Sequence, residues 1–259
     1  MSNQQQKPRL TAVSTIHYIK LVIRSVIFIT VLVYYILYRT RGGHNIEEVI
    51  ESRPVILTAV WVMFVIEMIL RFFPSRWESP SCQKQFACNY VKTGKTNIVI
   101  QGNNAVFIVA LVWISFNLVF GALRMAGIFD DGIMILLCLA YSVSDMIYIL
   151  FFCPFQTWFL KNKCCCTCRI YNWDYAMMFT PLFFVKKSYT WSLLALSMVL
   201  LARWEIAFFK HPERFSEVTN GYLGCQNCSE KLCTHKKQLN QLWKDFAAFT
   251  KAKNGKLKL

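Results

Sequence analysis

Apolar residues run along this chain in long blocks separated by short charged stretches. Blocks over 16–38, 54–73, 105–129, 133–160 and 189–209 match the roughly 20 apolar residues a helix needs to cross a hydrocarbon core about 30 Å thick. A sixth, 173–185, is shorter and contains Pro181, so its length suits a short span or a re-entrant segment alike. Pro54 is well placed to start its helix, and His211-Pro212 ends the last one. Between the third and fourth blocks lies only the acidic turn Asp130-Asp131-Gly132, which makes those helices an antiparallel hairpin.

The pattern predicts an all-α, polytopic transmembrane helical bundle of about six spans over 1–210. A cysteine-containing tail, 211–259, follows it. In that tail Leu239, Leu242, Trp243, Phe246 and Phe249 recur at helical spacing among Lys236, Lys237, Lys244 and Lys251. They predict a basic amphipathic helix, lying on anionic lipid headgroups or packed on the rest of the protein.

Composition agrees with a bilayer as the solvent. Hydrophobic residues make up 55% of the chain and charged residues 17%, against about 25% charged in a soluble domain. The first block continues into Tyr34, Tyr35, Tyr38 and Arg39 without a small-residue cleavage site, so it reads as a retained helix.

Charge orients the bundle. The net charge is +15, and the basic residues flank apolar spans with no recognition motif among them, so nucleic acid is not expected as a partner. With six spans and both termini inside, 22 of the 29 basic residues fall on the cytoplasmic face and six outside. That is the sense of the positive-inside rule. The expected location is the cell membrane with both termini cytoplasmic. Five spans would put the basic tail outside.

Candidate chemistry lies in two places. The first is the cysteines: nine of the 11 fall on the cytoplasmic face in this topology. Cys225-x2-Cys228 has the spacing of a zinc knuckle, with Cys233 and His235 or Cys166 and Cys168 to complete four ligands. An iron–sulfur centre is the redox alternative, although the spacing matches neither the bacterial nor the plant-type run. Cys164 to Cys166 also stand where juxtamembrane palmitoylation occurs.

The second place is within the spans. Asp145, with Ser142 and Ser144 just before it, and Asn117 are expected near mid-membrane and at matching depth across the hairpin. There a carboxylate is a functional candidate by default and an amide can instead fix packing. Glu67 and Arg71, four apart near the inner end of the second span, read as a local or cross-helix ion pair, and Arg203 and Glu205 at the same position in the last span read likewise. Lys20 and Arg24, four apart in the first span, are expected to snorkel to the headgroups.

No catalytic motif is present. Thr93-Gly94-Lys95-Thr96 ends like a phosphate-binding loop, but position 89 is Asn where that loop requires glycine. The expectations are a metal-binding membrane protein that moves a small solute or ion past Asp145 or senses the metal, a membrane redox protein, or a scaffold without chemistry. Elemental analysis of purified protein separates them. Colourless protein with stoichiometric zinc, lost on Cys225→Ser with Cys228→Ser, supports the first. Brown protein supports the second, and protein free of both leaves the third.

Overall fold

The computed structural model describes residues 12–41, 54–74, 83–100, 102–160 and 167–224. Among them regular structure is helical, apart from one isolated antiparallel bridge between Lys92 and Asn220. The α-helices are α1 (Ala12–Thr40), α2 (Pro54–Leu70), α3 (Asn103–Met125), α4 (Asp131–Leu150), α5 (Asp174–Phe179) and α6 (Ser188–Lys210). Four of them, α1, α3, α4 and α6, are long and apolar enough to cross a membrane. The apolar α2 has 17 residues, or about 25 Å at 1.5 Å per residue.

Two ends of the bundle can be told apart by their contacts. At the distal end the α3–α4 turn uses Gly127 in the left-handed region, φ 76°, a conformation open to glycine at little steric cost. Asp130 then caps α4 by accepting the Ile133 N–H at 2.8 Å, and Asp131 pairs with Arg124 at 2.5 Å. The far part of α1 reaches the same turn, where Tyr35 donates to Asp130 at 2.9 Å. At the proximal end Arg203 of α6 donates to the Phe72 carbonyl just past α2. There Arg169 meets both Glu205 and Asn103, the first residue of α3.

Two apolar blocks differ from the sequence expectation. The block 133–160 does not form one helix: α4 stops at Leu150, and a π-helix follows over Phe155–Leu160. Pro154 explains the break, since it lacks the N–H that would reach the Leu150 carbonyl and disfavours helical geometry at Cys153. The hairpin is antiparallel, but α4 packs chiefly on α1, while α3 packs on the 180–184 turn and the π-helix.

The block 173–185 is a broken helix: a 3₁₀ turn Arg169–Trp173, then α5, then a second 3₁₀ turn Thr180–Phe184. It begins at the proximal end, beside Glu205 and Asn103. It finishes at the distal end, where Phe184 lies against Gly121 and Phe183 stacks on Trp191, ring centroids 5.8 Å apart. The three short pieces together cover about 29 Å at 1.5–2.0 Å per residue. Pro181 ends α5 because its nitrogen cannot bond the Met177 carbonyl. Thr180 Oγ1 donates to the Ala176 carbonyl, and Thr190 Oγ1 lies 2.8 Å from the Val185 and Lys187 carbonyls. These hydroxyls serve carbonyls near the breaks, a role Ser and Thr take where helices break at membrane depth.

The core of the proximal half is aromatic: Phe64, Phe86, Tyr175, Phe179, Trp204, Phe208 and Phe215 are buried together, with edge-on contacts such as Phe86–Trp204 at 5.1 Å. Residues 211–224, assigned to the tail from sequence, pack on this end against 83–100. Buried Asn220 donates to the carbonyls of Lys84 and Arg214 at 3.0 and 2.9 Å. Large apolar side chains face outward along α1 and α3, among them Val22, Val26, Ile29, Leu111 and Phe116.

Gly121 is where α3 admits the broken helix. A Cβ there would lie 2.1 Å from the Phe184 ring. Gly121→Ala is therefore expected to destabilise the protein by about 1–3 kcal/mol through overpacking. Adding Phe184→Leu should recover part of that loss, read as the thermal midpoint in detergent.

Candidate functional site

Arg24 lies within the first half of α1, and its side chain is 1% exposed. It does not snorkel. The helix aims it across the bundle, where Nη2 meets Glu67 of α2 and Nη1 donates to the Ser142 carbonyl at 3.1 Å and Asp145 Oδ2 at 3.4 Å on α4. Its guanidinium also lies over the Phe64 ring, 5.4 Å from the centroid. Lys20, one turn earlier, pairs with Glu67 at 3.5 Å. The Tyr175 hydroxyl donates to Glu67 at 3.1 Å.

Arg71 continues the array. It does not pair with Glu67 on its own helix. It pairs with Asp174, the first residue of α5, at 2.6 Å, and its guanidinium stands over the rings of Tyr175 and Tyr171 at 4.7 and 5.4 Å. Asp174 Oδ1 also accepts the Tyr175 N–H at 2.8 Å. The network thus sets three cations, Lys20, Arg24 and Arg71, against three carboxylates, Glu67, Asp145 and Asp174. A charge in a medium of low dielectric is tolerated when it is paired and hydrogen-bonded, and formal neutrality satisfies that condition.

Asp145 is a turn and a half from the C-terminal end of α4, because that helix is shorter than the apolar block that contains it. Asn117 does not face it. Asn117 is eight residues from the distal end of α3, Asp145 fourteen from the distal end of α4, about 9 Å different in depth. The Asn117 amide instead donates to the Trp113 carbonyl of its own helix at 2.9 Å.

Beside this network a cavity opens between α3, α4 and the broken helix. It leaves about 100 Å³ for the centres of water-sized molecules, well above the 10–15 Å³ that holds one water. Asp145 and Asp174 stand in its wall with Ser144, and Trp113, Tyr141, Tyr148 and Tyr171 supply aromatic surface.

The second sequence-level pair is also dissolved. Glu205 binds Arg169 and accepts from Trp173 Nε1 at 2.6 Å, while Arg203 lies over Phe72 and Phe86. The expected metal ligands Cys166, Cys225, Cys228, Cys233 and His235 lie outside the described residues, as does the amphipathic helix. Cys168 is described: it is buried, in the cavity wall. Among the described residues no group of three or more His, Cys, Asp and Glu is placed to hold a metal ion.

Sequence reasoning missed Lys20, Arg24, Asp174 and Tyr175. One signal was available: two cations in the first block and single carboxylates in four others must be compensated somewhere in the bundle.

Because Arg24 bridges two carboxylates, Arg24→Met should destabilise the protein by about 3–5 kcal/mol, the cost of leaving buried charge unpaired. Glu67→Gln in the same chain should offset part of this. The double variant should be more stable than the sum of the two single losses by about 0.5–3 kcal/mol in a thermal-denaturation cycle. No protein-family model matches the chain, and neither a curated protein nor a solved structure is similar to it.

Proposed function

We propose that this is a six-span protein of the cell membrane, with both termini cytoplasmic, that holds a small solute or ion beside Asp145 for transport. The observation that carries the reading is the cavity with two carboxylates in its wall, inside a bundle whose outer surface is apolar. Ionisable groups at membrane depth are expensive and mark solute or ion paths. A broken helix in such a bundle is tolerated where it is buried in protein or lines a water-filled cavity, and discontinuous helices commonly build solute sites. The sixth span in this reading is the broken helix, which runs from one end of the bundle to the other. The excess of basic residues at the face holding the tail supports the orientation.

The formal neutrality of the network favours a second reading, a scaffold in which the charges only fix helix packing. The cysteine-rich tail is a separate proposal as a zinc site, resting on its spacing alone, and the cavity does not depend on it.

Cysteine accessibility decides between them. With the 11 native cysteines replaced by serine, Ser144→Cys in reconstituted vesicles should react with a small impermeant thiol reagent. Reaction from both faces fits transport, and reaction from one face fits binding or sensing. A thiol that reacts only after denaturation would leave the scaffold. In intact cells carrying the native chain, impermeant reagent should miss Cys225, Cys228 and Cys233, and strong labelling there would sink the six-span topology.

A further inference from the structure

Resting on that reading of the cavity, we propose that its ligand is a small organic cation, an ammonium group carried on a compact apolar body. The first observation is the sign of the wall. Among the described residues, the charged side chains lining the cavity are Asp145 and Asp174, and the wall includes no Lys, Arg or His. The arginines that compensate these carboxylates stand behind the wall. Arg24 is 1% exposed against 16% for Asp145, and Arg71 is 3% exposed against 8% for Asp174. A solute in the cavity therefore meets the Asp145 carboxylate before its arginine, and an anion would find no positive partner in the wall.

The second observation is the aromatic surface. Trp113 and Tyr141, both in the wall, meet at 4.6 Å with their planes inclined by 53°. Tyr148 and Tyr171 add two more rings to the same wall. Ring faces attract cations, most strongly where water is excluded. The protein already uses this chemistry a few ångströms away, where Arg71 lies over Tyr171, a ring that also lines the cavity.

The remaining wall is apolar, with Ile149, Phe155, Ile170, Met177 and Met178. A bare divalent ion fits poorly. Calcium takes six to eight oxygen ligands and magnesium six, and no metal-ligating cluster is present among the described residues. An ammonium on an apolar body can place its charge at Asp145 and the rings and its carbon atoms on the rest. The cavity volume suits a small molecule.

Three probes with one phenyl ring and a two-carbon chain, differing in the head group, test this on the full chain in lipid nanodiscs: phenethylammonium, 2-phenylethanol and phenylacetate. The ammonium compound should raise the thermal midpoint saturably. The alcohol should bind at least about tenfold more weakly, and the carboxylate should give no shift. Asp145→Asn should weaken ammonium binding about tenfold or more. Tyr148→Leu, which keeps apolar bulk and removes a ring face, should weaken it several-fold, and serves alone if the Asp145 variant does not fold.

Equal binding of alcohol and ammonium would overturn cation recognition while leaving the cavity a solute site. Absence of any shift with the ammonium compound would overturn the inference too, and the Ser144→Cys labelling then judges the site itself. Ammonium binding unchanged by the folded variants would place it elsewhere and end the proposal.

Discussion

The guanidinium of Arg24 is the contact on which the rest of this bundle depends. Lipid tails are as apolar as leucine, so helices in a membrane gain little from covering each other's apolar faces. Only 6% of the residues in the most apolar stretch of α1 are buried. What ties that helix to its neighbours is polar: Arg24 reaches Glu67, Asp145 and the Ser142 carbonyl, and Lys20 reaches Glu67. A buried guanidinium has a large desolvation penalty when unpaired. Arrangements of α1, α2 and α4 that separate these groups are therefore disfavoured, which makes the network selective as well as adhesive.

The broken helix hangs from the same network. Asp174 opens α5 and is held by Arg71, and Tyr175 hydrogen-bonds Glu67. One end of an otherwise irregular passage is thereby pinned by charge. The other end is pinned by shape, where Phe184 occupies the space that a side chain at position 121 would fill. Between these anchors the backbone changes from 3₁₀ to α and back. The changes of pitch keep the segment from packing as one regular rod, and the cavity lies between its first half, α3 and α4.

Much of the helical plan was legible because its causes are local. Apolar block length and the acidic turn Asp130-Asp131-Gly132 set where helices can run, and those features can be read along one chain. Pro154 was equally visible, yet the unbroken hydropathy of 133–160 outweighed it, which moved Asp145 to mid-helix on paper and to the last turns in fact. The partners of the charges were not legible. Glu67 and Arg71 are four apart and read as a pair, but each finds a closer partner on another helix. Helical spacing fixes which residues share a face and carries no information about what that face meets. Lys20 and Arg24 suffered the same fate: near a helix end, snorkelling satisfies them as well as a buried carboxylate does, and only the assembled bundle distinguishes the two.

Charge balance alone does not account for the geometry of the network. A purely structural array would be served equally well with carboxylates sealed and guanidinium groups outward, since the sum of charge is unchanged. Here Arg24 and Arg71 are each less exposed than the carboxylate they share with the cavity. The arginines have five donors in a planar fork and can be satisfied by several fixed acceptors at once, so they suit the interior. Asp145 receives a single bond from Arg24, at 3.4 Å, and a carboxylate has room for about four donors. Asp145 also stands in the cavity wall. That asymmetry links the packing of the helices to the chemistry of the space between them: the same ion pair that secures α1 to α4 presents its negative partner to whatever enters.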